Sequence, residues 1–399
     1  MRILMIAPEP FFEPRGTPFS EYHRIRALTD LGHTVDLVTY PFGRDMPLPG
    51  LRVFRCLRPP FVTRIKIGPS MAKIPLDLAL SLTAFRRALA ERYDAIHSHE
   101  EGALIGIVLA ALFRRPHLYD MHSSLPQQLS NFSFSRSRVL LAVFRWMERL
   151  FITRSQAIIV ICPQLAETVR QVAPDATPVL IENAPGSGGA PVAGQGLRTR
   201  QEFGLSASTP LVVYTGTFEA YQGLDLLFSA MAVVTGQRPD ARLLLAGGRP
   251  EQVERAREQA HRAGIGAVTV FTGERPAEEI PQFLDAADVL VSPRSTGTNT
   301  PLKIYQYLRA GRPIVATRLL THTQVLTDDI SILTEPSAEG LAQGIMQALA
   351  DPAAALELGR RASTLAETKY SYEAYVGRTR QAVAQLTGEP LPAGAGGVR

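Results

Sequence analysis

In the second half of this 399-residue chain, four stretches set glycine, hydroxyl or basic residues directly after apolar, β-branched runs. They are Thr215-Gly216-Thr217-Phe218 with Gln222-Gly223-Leu224-Asp225 beyond it; Gly247-Gly248-Arg249; Gly273-Glu274-Arg275; and Arg294 through Gly297-Thr298-Asn299-Thr300-Pro301-Leu302-Lys303. Glycine lets backbone N–H groups approach a ligand closely, and a helix start offers unpaired N–H groups to an anion. One such junction is an ordinary turn; four at successive strand ends predict a phosphate-binding edge. In the first half, chemistry could be carried by Arg15-Gly16-Thr17 with Glu21 and His23 behind it, by His97-Ser98-His99-Glu100-Glu101, and by His122. His97 and His99 are read as strand neighbours on opposite faces, which argues against a metal site and for a packed core histidine. His122 follows a strand directly; it either contacts a substrate or caps a helix.

The elements that must position these residues are legible as alternating periods. Residues 3–6, 35–38, 51–54, 95–97, 118–120, 158–161 and 179–181 are strand candidates, with helices at 20–31, 76–91 and 138–153. After a Gly/Pro/Ala-rich stretch the alternation restarts, with strands at 211–214, 243–246, 268–272, 289–292, 314–316 and 330–333. Strand–helix–strand alternation favours a parallel sheet covered on both faces. The expected class is α/β, with two doubly wound, Rossmann-like domains facing a cleft. Boundaries fall at 1–182 for the first domain, 183–199 for a linker and 200–370 for the second domain. A helix at 371–387 packs back on the first domain, and a disordered tail covers 388–399.

A chain 45% hydrophobic and 20% charged is a folded protein, and its net charge of +5 is too small for a nucleic-acid binder. That excess suits an anionic membrane face or phosphate-bearing substrates. Cys56 and Cys162 show neither disulfide nor metal-ligand spacing, as in a reducing compartment. The longest apolar run, 103–113, is too short to span a bilayer and reads as a buried helix. The expected location is the cytoplasm, or the inner face of the cytoplasmic membrane. Residues 135–154 interleave five arginines with aromatic and aliphatic residues, and residues 61–67 add a second basic-apolar strip. They read as a core helix with a basic outer face or as a membrane-surface helix.

The second-half junctions, together with Pro301-Leu302-Lys303, Tyr307-x-x-Ala310-Gly311-x-Pro313 and, in the first half, Gly32-His33-x-Val35, resemble the family-four group of retaining glycosyltransferases. The resemblance covers essentially the whole chain and implies the two-domain GT-B architecture, with the donor on the second domain and the acceptor on the first. It implies donor contacts from Gly16, Gly216, Thr217, Gln222, Gly248, Gly273, Arg275, Arg294, Thr298, Asn299, Thr300, Pro301, Leu302, Lys303 and Gln306. Acceptor-side residues are Arg15, Thr17, Glu21 and His99, and His122 is the catalytic residue, touching the transferred sugar. The family's diphosphate-binding arginine and lysine fall on Thr217 and Gln222, and its paired glutamates on Asn299 and Gln306. Arg294, Lys303, Arg275 or Arg249 is expected to supply the lost positive charge. The implied partners are a nucleotide-sugar donor, a saccharide or lipid-linked acceptor and an anionic membrane surface, without cofactor, metal or nucleic acid. Competing readings on the same fold are a catalytically silent sugar-nucleotide binder and a sugar-nucleotide epimerase.

Overall fold

The computed structural model describes residues 1–12, 16–60, 62, 73–127, 137–182 and 194–389. Arg15, nearly all of the strip 61–67 and the tail beyond 389 lie outside them. Two compact units divide the chain: Met1–Ala184 with Tyr372–Arg399, and Pro185–Ser371.

In the first unit, β1 (Arg2–Ala7), β2 (Thr34–Thr39), β3 (Leu51–Arg55), β4 (Ala95–His99), β5 (His117–Met121), β6 (Ala157–Val160) and β7 (Val179–Leu180) form one sheet in the order β3-β2-β1-β4-β5-β6-β7. Every pairing is parallel; Ile3, for example, sits beside Val35 on one side and Ala95 on the other. Burial on both faces explains why β4 and β5 are buried at all positions, histidines included. The order reverses between β1 and β4, so loops after those strands open a crevice at the sheet's carboxyl end.

The second unit repeats this plan with β8 (Leu211–Thr215), β9 (Arg242–Ala246), β10 (Thr269–Gly273), β11 (Val289–Ser292), β12 (Ile314–Thr317) and β13 (Ile332–Thr334). Their order is β10-β9-β8-β11-β12-β13, again parallel throughout, with the reversal between β8 and β11. Helices Leu224–Gln237 and Ala338–Ala350 cover one face, built on Leu227, Met231, Leu341 and Ile345; helix Leu302–Ala310 covers the other through Ile304, Tyr307 and Leu308.

Two sequence expectations change here. The expected linker ends early, because Gln195–Glu202 is a helix: Gly194 enters it at φ 86°, and Gly196 N–H donates to Asp285 at 2.8 Å. A Cβ on Gly196 would lie 2.5 Å from the Asp285 carbonyl carbon, so glycine here is a contact residue rather than a linker residue. Helix Ala103–Phe113 is not wholly buried either; Leu104, Val108, Ala111 and Leu112 face outward. Both cysteines are buried and outside any disulfide, Cys162 at the N-cap of helix Pro163–Val172.

Helix Tyr372–Thr387 belongs to the first unit, where Tyr375, Ala382 and Leu386 join Ala157, Ile159, Val179 and Ile181 in one core cluster. Tyr372 donates to Asp30 at 2.7 Å and Arg378 to Glu182 at 2.6 Å. Leu386→Ala should destabilise the first unit by about 2–5 kcal/mol. Scanning calorimetry should show one transition lowered while that of the second unit stays in place.

Candidate active site

At the carboxyl end of the second sheet, the strand-end loops approach until side chains no longer fit. Gly216 N–H donates to the Ala246 carbonyl at 2.9 Å and Gly247 N–H to the Gly273 carbonyl at 2.8 Å, extending the ladder past the strands. A Cβ on Gly247, at φ 131°, would lie 2.0 Å from the Gly216 carbonyl oxygen, and one on Gly248 would meet the Phe218 ring at 2.5 Å. The third loop reaches in from β11: a Cβ on Gly223 would lie 2.0 Å from the Pro293 carbonyl oxygen.

Lys303, in the first turn of helix Leu302–Ala310, enters this floor from below. Its ammonium donates to Gln222 Oε1 at 3.2 Å and rests 3.7 Å from the centroid of the Tyr214 ring. A Cβ on Gly216 would lie 3.0 Å from Nζ. One turn on, Tyr307 fixes the helix; its hydroxyl accepts from Thr215 N–H at 3.0 Å and donates to the Val291 carbonyl at 3.3 Å, tying the two switch-point strands together. Burial, and then the charge of Arg294, hold the Lys303 amine well below its ordinary pKa. No carboxylate pairs with it among the described residues. Gln222, where the sequence resemblance placed the family's lysine, thus holds a lysine from another element.

The other expected cations are committed elsewhere. Arg294 Nη1 donates to the Asn299 carbonyl at 3.0 Å and to Thr321 Oγ1 at 2.8 Å, bracing the loop, while its guanidinium lies over Tyr221. Arg275 is flanked by Glu279 at 3.5 Å and Glu202 at 3.8 Å, and Arg249 by Glu219 at 3.4 Å. Carbonyls of Thr298 and Asn299 accept from Gln324 and Thr321, so this loop is held by its backbone. Pro301 and Thr300 are buried, the Thr300 hydroxyl without a partner among the described residues; Leu302 and Gln306 are half-buried. Beneath lies His322, between Ser292 Oγ at 2.8 Å and the Thr317 carbonyl at 2.7 Å, its pKa pushed down to about 3 chiefly by burial.

At the first unit's sheet end, polar side chains crowd around Asp120. Arg24 Nε donates to Asp120 Oδ2 at 2.8 Å, His97 Nε2 lies 3.5 Å from Oδ2 and His122 Nε2 3.3 Å from Oδ1. His99 Nδ1 is 3.2 Å from His122 Nε2. Burial alone would raise the Asp120 pKa, but Arg24 and His122 bring it well below the usual carboxylate range. Burial lowers both His97 and His99. The opposite-faces reading of those two is overturned: residues two apart share a strand face, and their rings stack at 4.9 Å. Ligand atoms of His97, His99 and Asp120 come within 4.8 Å of one another, a spacing a metal ion could use. Arg24 holds Asp120 Oδ2 and already supplies positive charge there.

Beside this cluster, Glu21 is fully buried facing Glu9; burial raises both carboxyls well above the ordinary range, and Glu21 raises Glu9 further. Glu100, at φ 46°, accepts from Ser123 Oγ at 3.0 Å, and Lys73 pairs with Glu101 at 2.7 Å. Gly16 and Thr17 open helix Gly16–Asp30, which carries Glu21, His23 and Arg24. The Arg24–Asp120 pair escapes sequence reasoning, since its members lie 96 residues apart. The available signal was an aspartate inside the buried strand β5, which needs a cationic partner.

Comparison with known proteins follows the same division. Residues 22–184 match the glycosyl transferase 4-like domain, and residues 197–365 match glycosyl transferases group 1. The sulfoquinovosyl transferase of Arabidopsis thaliana is 25% identical over 337 residues, which is 82% of this chain and 61% of the relative, so the chain spans about three fifths of that protein's length. Sucrose-phosphate synthase from Thermosynechococcus elongatus superposes with a TM-score of 0.77 at 24% identity, covering 97% of this chain and 99% of that one. Anabaena HepE in complex with UDP-glucose superposes with a TM-score of 0.72 at 18% identity, covering 97% and 100%. Two Rossmann-like units with these neighbours define a GT-B fold. The chain belongs to the glycosyltransferases of the GT-B, family-four type.

Arg24→Met would leave Asp120 buried without its cation. It should cost about 3–5 kcal/mol of first-unit stability, read by thermal denaturation.

Proposed function

We propose that the chain transfers a sugar, a hexose by preference, from a nucleoside-diphosphate donor to an acceptor hydroxyl with retention at the anomeric carbon. The observation that carries this reading is Lys303: an amine without a carboxylate partner among the described residues, delivered to Gln222 and Gly216, where the family places its diphosphate-binding charge. In this reading, N–H groups around Gly216, Thr217, Gly248 and Gly273 and the first turn of helix Leu302–Ala310 cradle the diphosphate. Lys303 stabilises the charge that builds on it as the sugar departs. Asn299, Thr300 and Gln306 supply neutral hydrogen bonds to sugar and ribose hydroxyls. Arg294 braces their loop, and Arg275 and Arg249 face the solvent-accessible carboxylates of Glu279, Glu202 and Glu219. A fold neighbour crystallised with UDP-glucose supports a uridine donor. His122, oriented by Asp120 and His99, contacts the transferred sugar, and Glu9 and Glu21 recognise acceptor hydroxyls. The acceptor is a saccharide or a lipid-linked saccharide reached from the inner face of the cytoplasmic membrane, and no metal takes part.

Lys303→Met should weaken UDP binding by roughly 10- to 150-fold, the equivalent of a charged hydrogen bond of 1.5–3 kcal/mol, whereas Arg249→Ala should leave it unchanged. Titration calorimetry measures both. A folded wild-type protein that binds no nucleoside diphosphate overturns the donor site.

His122→Ala should lower transfer from UDP-glucose by at least about tenfold with little change in UDP affinity, because its contact is with sugar rather than nucleotide. Radiolabelled-sugar transfer beside UDP titration separates the two effects.

A further inference from the structure

Helices Lys73–Ala90, Ala103–Phe113 and Arg138–Arg154 pack side by side on one face of the first unit's sheet, with Ala103–Phe113 in the middle. A helix covering a sheet in water normally turns a polar face outward. These do not. On Lys73–Ala90 the inner stripe is Leu76, Leu80, Ala84 and Ala88, yet the outer side carries a second apolar stripe of Ile74, Leu78, Leu82, Phe85 and Leu89, with Leu78 73% exposed. Every exposed residue of Ala103–Phe113 is apolar. Arg138–Arg154 exposes Val139, Val143 and Trp146, the last at 60%.

The exposed charge around this apolar surface is mostly basic, and the acids at its edge, Glu91 and Asp94, are both held by Arg2. Arg86, Arg92, Arg114, Arg115, Arg145 and Arg149 are all exposed. The three helices carry only two acids: Glu148 is buried and accepts from Leu125 N–H at 3.0 Å, and Asp77 takes a hydrogen bond from buried Tyr40. Where helices Lys73–Ala90 and Ala103–Phe113 end together, a cavity of about 410 Å³ opens among Leu89, Tyr93, Phe113, Arg92 and Arg115; the Glu91 carboxylate in its wall is held by Arg2 at 2.7 Å.

We propose that this three-helix face docks on an anionic lipid bilayer: its apolar stripes enter the acyl boundary, its arginines lie against the phosphates, and the cavity takes one lipid phosphate between Arg92 and Arg115. Charge decides the occupant. A two-fold dimer through the same face would set this arginine rim against its own copy, with no outward acid on the three helices to pair it. A surface of phosphates is the complement the rim lacks, and basic-apolar faces with an exposed tryptophan suit the interfacial region. The proposal rests on the lipid-borne acceptor for its biological sense, but its test needs no transfer.

Trp146 is the chain's single tryptophan, so its emission reports this face directly. Mixing the full-length protein with vesicles of equal parts phosphatidylglycerol and phosphatidylcholine at low salt should shift that emission to the blue, and flotation should carry the protein upward. Vesicles of phosphatidylcholine alone, or about 1 M salt, where the Debye length is near 3 Å, should release most of it. The triple change Leu78→Gln, Val108→Gln, Leu112→Gln and the double change Arg92→Gln, Arg115→Gln should each lower partitioning by at least about tenfold while UDP binding persists. Unshifted wild-type emission, equal binding to both vesicle types, or a dimer in solution whose formation buries Trp146 would each overturn the proposal. Should a variant fail to fold, the wild-type emission decides alone. UDP titration of the same samples keeps failure of this face distinct from failure of the donor site.

Discussion

An ammonium group buried against an aromatic ring, with a glutamine instead of a carboxylate for company, sets the terms for the second unit. Desolvation disfavours its charge, and the nearby guanidinium of Arg294 disfavours it further. The surrounding structure holds it in place regardless. Tyr307 pins the helix that carries it, and glycine at 216 leaves it room, since a Cβ there would lie 3.0 Å from Nζ. Such a site holds an amine whose charged form lacks a partner, and an anion seated on the strand-end amides would supply one.

The first unit uses the same sheet topology for the opposite electrostatic purpose. Its carboxyl edge gathers carboxyl groups at 9, 21, 100 and 120; Arg24 compensates the deepest of them, and burial raises the pKa of the other three. Burial shifts the Glu9 and Glu21 carboxyls toward the protonated form, and a protonated carboxyl donates a hydrogen bond where a carboxylate only accepts. Parallel strands make this division of labour possible: all loops after the strands emerge on one side, so each unit concentrates its polar chemistry along one edge and keeps the rest for packing.

All seven strands of the first sheet and all six of the second were legible, because strands covered on both faces read as short apolar runs set between helix-length segments. The strand-end glycines were legible for the same reason: a strand end followed by Gly-Gly implies backbone approach, and Gly247 and Gly248 have it. Rotation about a helix axis was not. Nothing in the sequence at 103–113 distinguishes a helix buried all round from one exposing Leu104, Val108 and Leu112, since both are uniformly apolar. Long-range pairs stayed hidden too: Lys303 and Gln222 lie 81 residues apart, and their contact depends on how one helix leans on a strand from another part of the chain. The misreading of His97 and His99 had a local cause, since a period of two puts them on one face and their stacked rings follow directly.

Burial keeps Lys303 poorly charged until an anion arrives, and proton linkage measures that without any variant. Titration calorimetry of UDP binding should be run across about pH 7 to 10, above the phosphate's own second pKa of about 6, in buffers of contrasting ionisation enthalpy. The amine's pKa is depressed in the free protein and rises when a diphosphate binds beside it, so between those two values binding draws a proton from the buffer. The predicted result is an observed enthalpy that varies with the buffer in the direction of proton uptake, together with an affinity that falls as pH rises through the bound-state pKa. Tight binding with the same enthalpy in every buffer would contradict the account.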